Sequence, residues 1–420
     1  MQRSVRSDNP DTGKAHQDKL NKRRLRLLLF RLHTWVGMVM CIALGVVFAS
    51  GTLLMFSPEL KHFRHSELWI APSDTRVTVG QIFDSTLAEF PASKIESIGS
   101  QPRRWFGRPV YLTGESGAIT AHLSPYTAEV LGTQRIGKLN LRNLLRKLHD
   151  SFLVPVQGIQ VLVNTLSLVV LGLVITGLLV YRKFWKGFFK KPPANASQLV
   201  QHSYLHRRLA VWAAPFLIVS TLASTIFLLN AIGFKAKAGP SPTVTTPRPT
   251  ALPDEFNGEA LDALVSACKA VSPGFTETGI RIPNSGNAWV RIIGHDENRG
   301  EIFGAASCFT NPQTGMVEGF VKASEGNLMT QIKALAVAMH FGTFAGWFSI
   351  ILWTIFGTVS TSVAISGAKL YATRVVAKAS SAHSPPTSQS TLPLLIKGLG
   401  LFRWIYLAWA IGAIALLIIR

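Results

Sequence analysis

Four histidines stand where an imidazole is costly unless it has a partner. His33 and His206 open two long apolar stretches, and His149 and His340 lie near the start of two others. A histidine at membrane depth is a functional candidate by default. Successive stretches alternate in direction, so His33 and His206 fall near one membrane face and His149 and His340 near the other. Neutral imidazole is a good axial ligand for haem iron, and two from facing helices saturate it. A saturated iron has no open position for oxygen, which leaves electron transfer as the expected chemistry. Two b-type haems are expected, one on His33 and His206 and one on His149 and His340, with the irons roughly 20 Å apart along the membrane normal. No C-x-x-C-H motif for covalent attachment is present. His202 lies four residues before His206 on the same helical face and competes with it as a ligand; His206 is favoured because it alone occupies a repeated position. Arg31, Arg207, Arg208 and Arg146 flank the ligands, either as propionate partners or as interfacial anchors. Trp35, Trp212, Trp347 and Trp353 read as packing on porphyrin faces or as interfacial tryptophans. His62, His65, His122, His295 and His383 fall in loops and read as ordinary surface residues.

The elements that must position these side chains follow from charge. Charged residues make up 15% of the 420, below the ~25% usual in soluble domains. Thr34–Pro58, Ser151–Tyr181, Leu209–Phe234 and Ala334–Ala368 contain no Asp, Glu, Lys or Arg, and each supplies the ~20 apolar residues of a spanning helix. Gly398–Ile419 is a fifth candidate, with Arg403 placed to snorkel. The expected order is a disordered tail over 1–24, containing His16, and a first span over 25–56. A periplasmic domain over 57–150 and a second span over 151–181 come next. A cytoplasmic loop over 182–206 leads to a third span over 207–232, then a second periplasmic domain over 233–332. A fourth span over 333–368, a cytoplasmic linker over 369–397 and a fifth span over 398–419 close the chain. The formal charge of +21 is unevenly placed. The segments 1–33, 182–208 and 367–403 carry 21 Lys/Arg against three acids, while 57–157 and 230–335 carry 21 against 19. That asymmetry is the positive-inside pattern, so the N-terminus is expected in the cytoplasm of a multi-pass bacterial inner-membrane protein. It argues against a nucleic-acid partner, since no aromatics interleave with the charges on a soluble domain.

The chain repeats. Leu32-His33 answers Leu205-His206, and Leu148-His149 answers Met339-His340. Ser124-Pro125-Tyr126-Thr127-Ala128-Glu129-Val130 resembles Asn311-Pro312-Gln313-Thr314-Gly315-Met316-Val317, and Ile175-Thr176-Gly177 resembles Ile365-Ser366-Gly367. The fold expected is an all-α membrane bundle of about five helices in two parallel helix–domain–helix repeats, carrying two small α+β periplasmic domains. Helices are expected at Val77–Phe90 and Glu259–Val271. Strands are expected at Val110–Leu123 (turning at Gly114 and Gly117), Ala288–Ile293 and Gly304–Phe309. Pro240–Pro253 and Ser380–Thr391 read as linkers. Cys268 and Cys308 share a loop where oxidation is permitted, so a disulfide between them is allowed; Cys41 reads as packing.

There is no P-loop, G-x-G-x-x-G or HExxH, so the chain supplies no evident cytoplasmic electron source of its own. The turn patterns at Ser124–Val130 and Asn311–Val317, the stretch Leu205-His206-Arg207-Arg208-Leu209-Ala210-Val211-Trp212 and the stretch His340-Phe341-Gly342-Thr343-Phe344-Ala345-Gly346 resemble the PepSY-associated transmembrane family over about Arg31–Leu370. The first turn departs from the family's pattern at Ser124 and Ala128. The resemblance implies PepSY-like domains and haem ligation by His33, His149, His206 and His340. It also implies the activity of a ferric-siderophore reductase, an oxidoreductase whose substrate is a ferric siderophore; the donor is left open, a quinol and a separate reductase both being compatible. Two other classes stay open from the residues alone: a periplasmic binding or peptidase-inhibiting module on a membrane anchor, and a transporter with a histidine relay. No catalytic side chain is assigned.

Overall fold

A computed structural model describes residues 10–115, 117–135, 140–181, 184–186, 191–234, 252–283, 289–296, 302, 304–380 and 391–419. Most of both expected linkers, His383 and much of the basic run Arg182–Lys191 lie outside them. The chain divides into a helical unit (Met1–Thr52, Lys147–Thr225, Leu352–Arg420) and a sheet-bearing unit (Leu53–Arg146, Ile226–Ile351).

The helical unit is built on α1 (Pro10–Leu54), α5 (Ile159–Val180), α6 (Gln198–Ala231) and α9 (Gly346–Ser380). Each contains a span long and apolar enough to cross a membrane. Leu44, Val170, Ala213 and Leu217, one or two from each of three helices, form its buried centre, with Val359 and Val363 packed against them. The expected disordered tail is corrected from residue 10 onward, because α1 begins at Pro10. Proline suits a first helical turn, and the residues after it are mostly good helix formers. The fifth candidate forms α11 (Phe402–Ile419), 18 residues long and shorter than the other four. It is tied to the unit by Tyr406 Oη, which donates to the Val39 carbonyl at 2.8 Å, and by Trp409 Nε1, which donates to the Phe152 carbonyl at 2.7 Å. A short helix, α10 (Thr391–Gly398), precedes it.

Both returning spans are broken, where the sequence reading expects them continuous from 151 and 333. α4 (Leu141–Ser151) stops at Phe152 and Leu153, whose φ values of 50° and 61° are left-handed, and α5 restarts at Ile159. α8 (Leu328–Phe341) is capped by Gly342 at φ 63°, and α9 restarts at Gly346. Absence of charge marked these runs as spans, but Pro155 and Gly158 in one and Gly342 and Gly346 in the other interrupt them. His149 and His340 therefore sit close to the C-terminal ends of short helices that precede the spans.

The sheet-bearing unit corrects the expectation of two separate domains. Each half contributes one helix and a four-stranded meander. The first has α3 (Val79–Glu89), β1 (Lys94–Ile98), β2 (Arg108–Gly114), β3 (Gly117–Leu123) and β4 (Val130–Arg135). The second has α7 (Gly258–Val271), β5 (Phe275–Arg281), β6 (Val290–Asp296), β7 (Ala305–Thr310) and β8 (Val317–Lys322). The strands make one antiparallel sheet in the order β4-β3-β2-β1-β5-β6-β7-β8, joined where Ser97 and Ile98 pair with Arg281 and Ile280. One core runs under both halves, including Ile98, Leu112, Leu261 and Ile280. A capping box at Thr78 and Gln81 starts α3, and Asn257 caps α7. The two helices meet reciprocally. The Gly80 amide donates to Asp262 at 2.8 Å, and the Gly258 amide donates to Asp84 at 2.7 Å. A Cβ on either glycine would strike the other's carbonyl oxygen. Arg108 pairs with Glu277 through both terminal nitrogens and spans the seam. Cys268 and Cys308 are bonded, with Cα atoms 6.1 Å apart.

Candidate functional site

His33 on α1 and His206 on α6 face each other across a cavity in the helical unit, their ring centroids 6.5 Å apart and their planes inclined at 64°. Each ring is aimed by a neighbouring helix. Nδ1 of His33 lies 3.0 Å from Thr176 Oγ1. That hydroxyl donates to the Gly172 carbonyl, so it accepts from the imidazole. Nδ1 of His206 lies 3.2 Å from both the Val363 carbonyl and Ser366 Oγ. A carbonyl can only accept, so Nδ1 carries the proton and Nε2 keeps its lone pair. Gly177 and Gly367 follow Thr176 and Ser366. A Cβ there would lie 3.2 and 3.1 Å from Cε1 of His33 and His206, so each glycine makes room for the ring. The sequence reading noticed Ile175-Thr176-Gly177 and Ile365-Ser366-Gly367 as a repeat without a role; their role is to seat these two histidines.

This geometry fits a bis-imidazole metal. The two rings would hold such a metal through their free Nε2 atoms, the separation being of the size that two metal–imidazole bonds of roughly 2 Å each would span. The rest of the wall is mainly apolar, with Leu173, Val174, Ala210 and Val363 among its residues, as a porphyrin face requires. Arg207 and Arg374 also line it, two cations suited to propionates. Arg374 lies over Phe30 at 5.2 Å and Arg207 over Tyr181 at 5.1 Å. Arg207 was expected; Arg374 was missed because it lies far along the chain from either histidine. Arg31, Arg208 and the four tryptophans singled out by sequence are absent from the described lining. His202 is absent from it too. Its Nδ1 bonds Thr373 Oγ1 at 2.9 Å, the same kind of anchor, so an anchored Nδ1 alone does not mark a ligand.

Residues 30–374 match the family model described as the PepSY-associated TM region. The chain belongs to this family. Comparison with curated proteins returns no match. With four helices long and apolar enough to span, this PepSY-associated chain is a multi-pass membrane protein.

The remaining two histidines of the PepSY-associated chain are not brought to the same unit. His149 belongs to the helical unit and His340 to the sheet-bearing one. Nδ1 of His149 donates to the Val47 carbonyl at 2.9 Å, with Ser50 Oγ at 3.4 Å. Its ring lies against Gly51, where a Cβ would come within 2.7 Å of Cε1. The pattern at His33 and His206 recurs: Nδ1 anchored on a partner helix, and a glycine under the ring. His340 packs edge-on against Phe227 and Phe341, with centroids at 5.1 and 5.3 Å.

Two histidines read as surface residues are instead buried in the sheet-bearing unit. His62 is 1% exposed and His122 0%, with their rings in T-shaped contact at 4.9 Å. Burial, aided by the Lys61 charge, lowers the His62 pKa to about 4 and the His122 pKa to about 3, with Gln134 only partly offsetting the latter. His122 lies near the end of β3, where four successive residues are buried, so alternation did not reveal its position.

Proposed function

We propose that the chain is an inner-membrane, two-haem electron-transfer protein that reduces a ferric siderophore on the periplasmic side and so releases its iron. The observation that carries the reading is the His33–His206 pair, 6.5 Å apart across a mainly apolar cavity, each with Nδ1 anchored. Bound between two histidines, a haem supplies a one-electron carrier without an open coordination position. His33 and His206 are the ligands of the cytoplasmic site, Thr176 and Ser366 fix their tautomers, and Arg207 and Arg374 take the propionates. By the sequence repeat alone, His149 and His340 hold the equivalent positions and are the second pair of candidate ligands. The charge asymmetry supports a cytoplasmic N-terminus and a periplasmic sheet, whose two halves we read as PepSY-like modules. A quinol or a separate reductase supplies each electron. One electron converts Fe(III) to the softer Fe(II), which hard oxygen ligands hold poorly.

The test is haem content by absorption spectroscopy. The purified wild type is expected to be low-spin, with a haem-to-protein ratio near two. His33→Ala and His206→Ala should each remove the same haem, His149→Ala and His340→Ala the other, and His202→Ala neither. A colourless folded preparation from haem-replete cells overturns the reading. Loss of one common haem in His33→Ala and His149→Ala, with His206→Ala intact, overturns the pairing.

A further inference from the structure

The sheet-bearing unit holds a second cavity, of about 1010 Å³, at the top of the range that receives drug-sized ligands. Two chain segments wall it: the end of α2 (Ser57–His62) with the residues to His65, and the end of β4 with the start of α4. Lys61, Arg64, His65 and Arg135 line it, and no acid is among the described lining residues. Glu67 pairs with His65 at 2.8 Å but is not part of the wall. The wall also includes Thr133, Gln134 and Asn140, which can donate to oxygen without adding charge. Gathering cations without carboxylates is unfavourable until an anion arrives. Arg142, on α4 beside the cavity, adds to that potential, and burial followed by the Arg142 charge lowers the proton affinity of Lys61.

A second observation sets this wall apart. His62 follows Lys61, and His122 pairs across β3–β4 with Gly132, two residues before Gln134 and on the same face of the sheet. Nδ1 of His62 has no hydrogen-bond partner within the described residues, and His122 has Gln134 as its polar neighbour. A polar group kept unpaired and fully buried costs stability, and here it stands directly behind a cationic wall. By alignment of the two repeat turns, the place of His122 in the second half is taken by Phe309, so the device belongs to one half only.

We propose that this cavity docks an anionic ferric chelate, one whose iron is held by catecholate or carboxylate oxygens. The inference rests on the reductase reading and narrows its substrate class. A ferric tris-catecholate is net negative and a ferric trihydroxamate is neutral, so the cationic wall selects the first. Arg64 and Arg135 meet the outer charge, and the neutral donors meet the ligand oxygens.

The experiment titrates the purified full chain with the gallium tris-catecholate, a redox-inert stand-in, and with the neutral gallium trihydroxamate, reading tryptophan fluorescence or heat. Arg64 and Arg135 are exposed, so Arg64→Gln/Arg135→Gln should leave the fold intact, and circular dichroism checks this. Wild type should bind the anionic chelate in a salt-dependent way, the double variant about tenfold more weakly, and Lys61→Gln should add to the loss. Equal binding of both chelates, or an unchanged double variant, overturns the proposal. Displacement of the chelate from wild type but not from the variant by phosphatidylglycerol also overturns it, since the wall is then a lipid headgroup site. Haem content is read on the same sample. Charge-dependent binding without haem keeps the docking site and sinks the reductase reading, and haem without charge-dependent binding does the reverse.

Discussion

The two halves of the sheet share a backbone plan and differ in what they bury. Both end their third strand in a turn with the same hydrogen bonds. Ala128 N–H donates to the Ser124 carbonyl at 2.9 Å, and Gly315 N–H donates to the Asn311 carbonyl at 2.9 Å. Aligning these turns puts Ala121 opposite Cys308 and His122 opposite Phe309. Aligning Gly80 with Gly258 puts Phe90 opposite Cys268. The second half is thus closed by a disulfide and apolar packing, while the first has apolar residues at the cysteine positions and places a buried imidazole beside a cationic cavity. Backbone geometry is what the repeat retains. The chemistry sits in side chains that have diverged.

The strongest way to break the shared plan is at the helix contact. Gly258→Ala drives a Cβ into the Gly80 carbonyl and displaces an amide bonded to Asp84. A loss of about 3–5 kcal/mol is expected from overpacking plus a weakened charge-assisted bond. Thermal melting of the full chain reads it, and a variant within 1 kcal/mol of wild type, on the order of RT, shows that the contact is loose.

Replacing the imidazole with the residue found in the other half sharpens the contrast. His62 and His122 have folded-state pKa values below the unfolded value, so the unfolded chain binds more protons between them. Their contribution is fully present above the unfolded pKa near 6.5 and is lost as pH falls toward about 4 for His62 and about 3 for His122. Near pH 5 each histidine costs about 2 kcal/mol relative to neutral pH. His122→Phe should remove one of these increments and flatten the melting temperature between pH 7 and 5. An unchanged acid slope contradicts the burial.

The smallest effect is at the turn. Ala128 has φ 60° and Gly315 has φ 72°, a region where a Cβ is strained. Ala128→Gly should stabilise by about 1 kcal/mol and Gly315→Ala should destabilise by about as much, so the double exchange nearly cancels. Equal and opposite shifts in denaturation midpoint establish the turns as equivalent; shifts of one sign do not.

Much of this was legible in sequence because it is local. Runs without charge revealed the four long spans, and the repeat exposed the turns and the positions of His33, His149, His206 and His340. The breaks at 152–158 and 342–345 escaped because composition was weighed over single prolines and glycines. Thr176 and Ser366 were noticed as residues but not as anchors, because each bonds a histidine more than 140 residues away. The pairing of β1 with β5 leaves no periodic mark, and the expectation of two domains failed there.

That pairing also sets a timetable. Ile98 waits for Ile280, about 180 residues later on the chain and beyond two spanning helices. Until then β1 is a bare edge, with backbone donors and acceptors open to any passing strand. At synthesis rates of about 5–20 residues per second the exposure lasts roughly ten seconds or more. Newly made chains crowded at one translocation site could then exchange halves, β1 of one closing on β5 of its neighbour. Arg108 and Glu277 meet across the seam, so a chain that mates out of register leaves both charges without their partner.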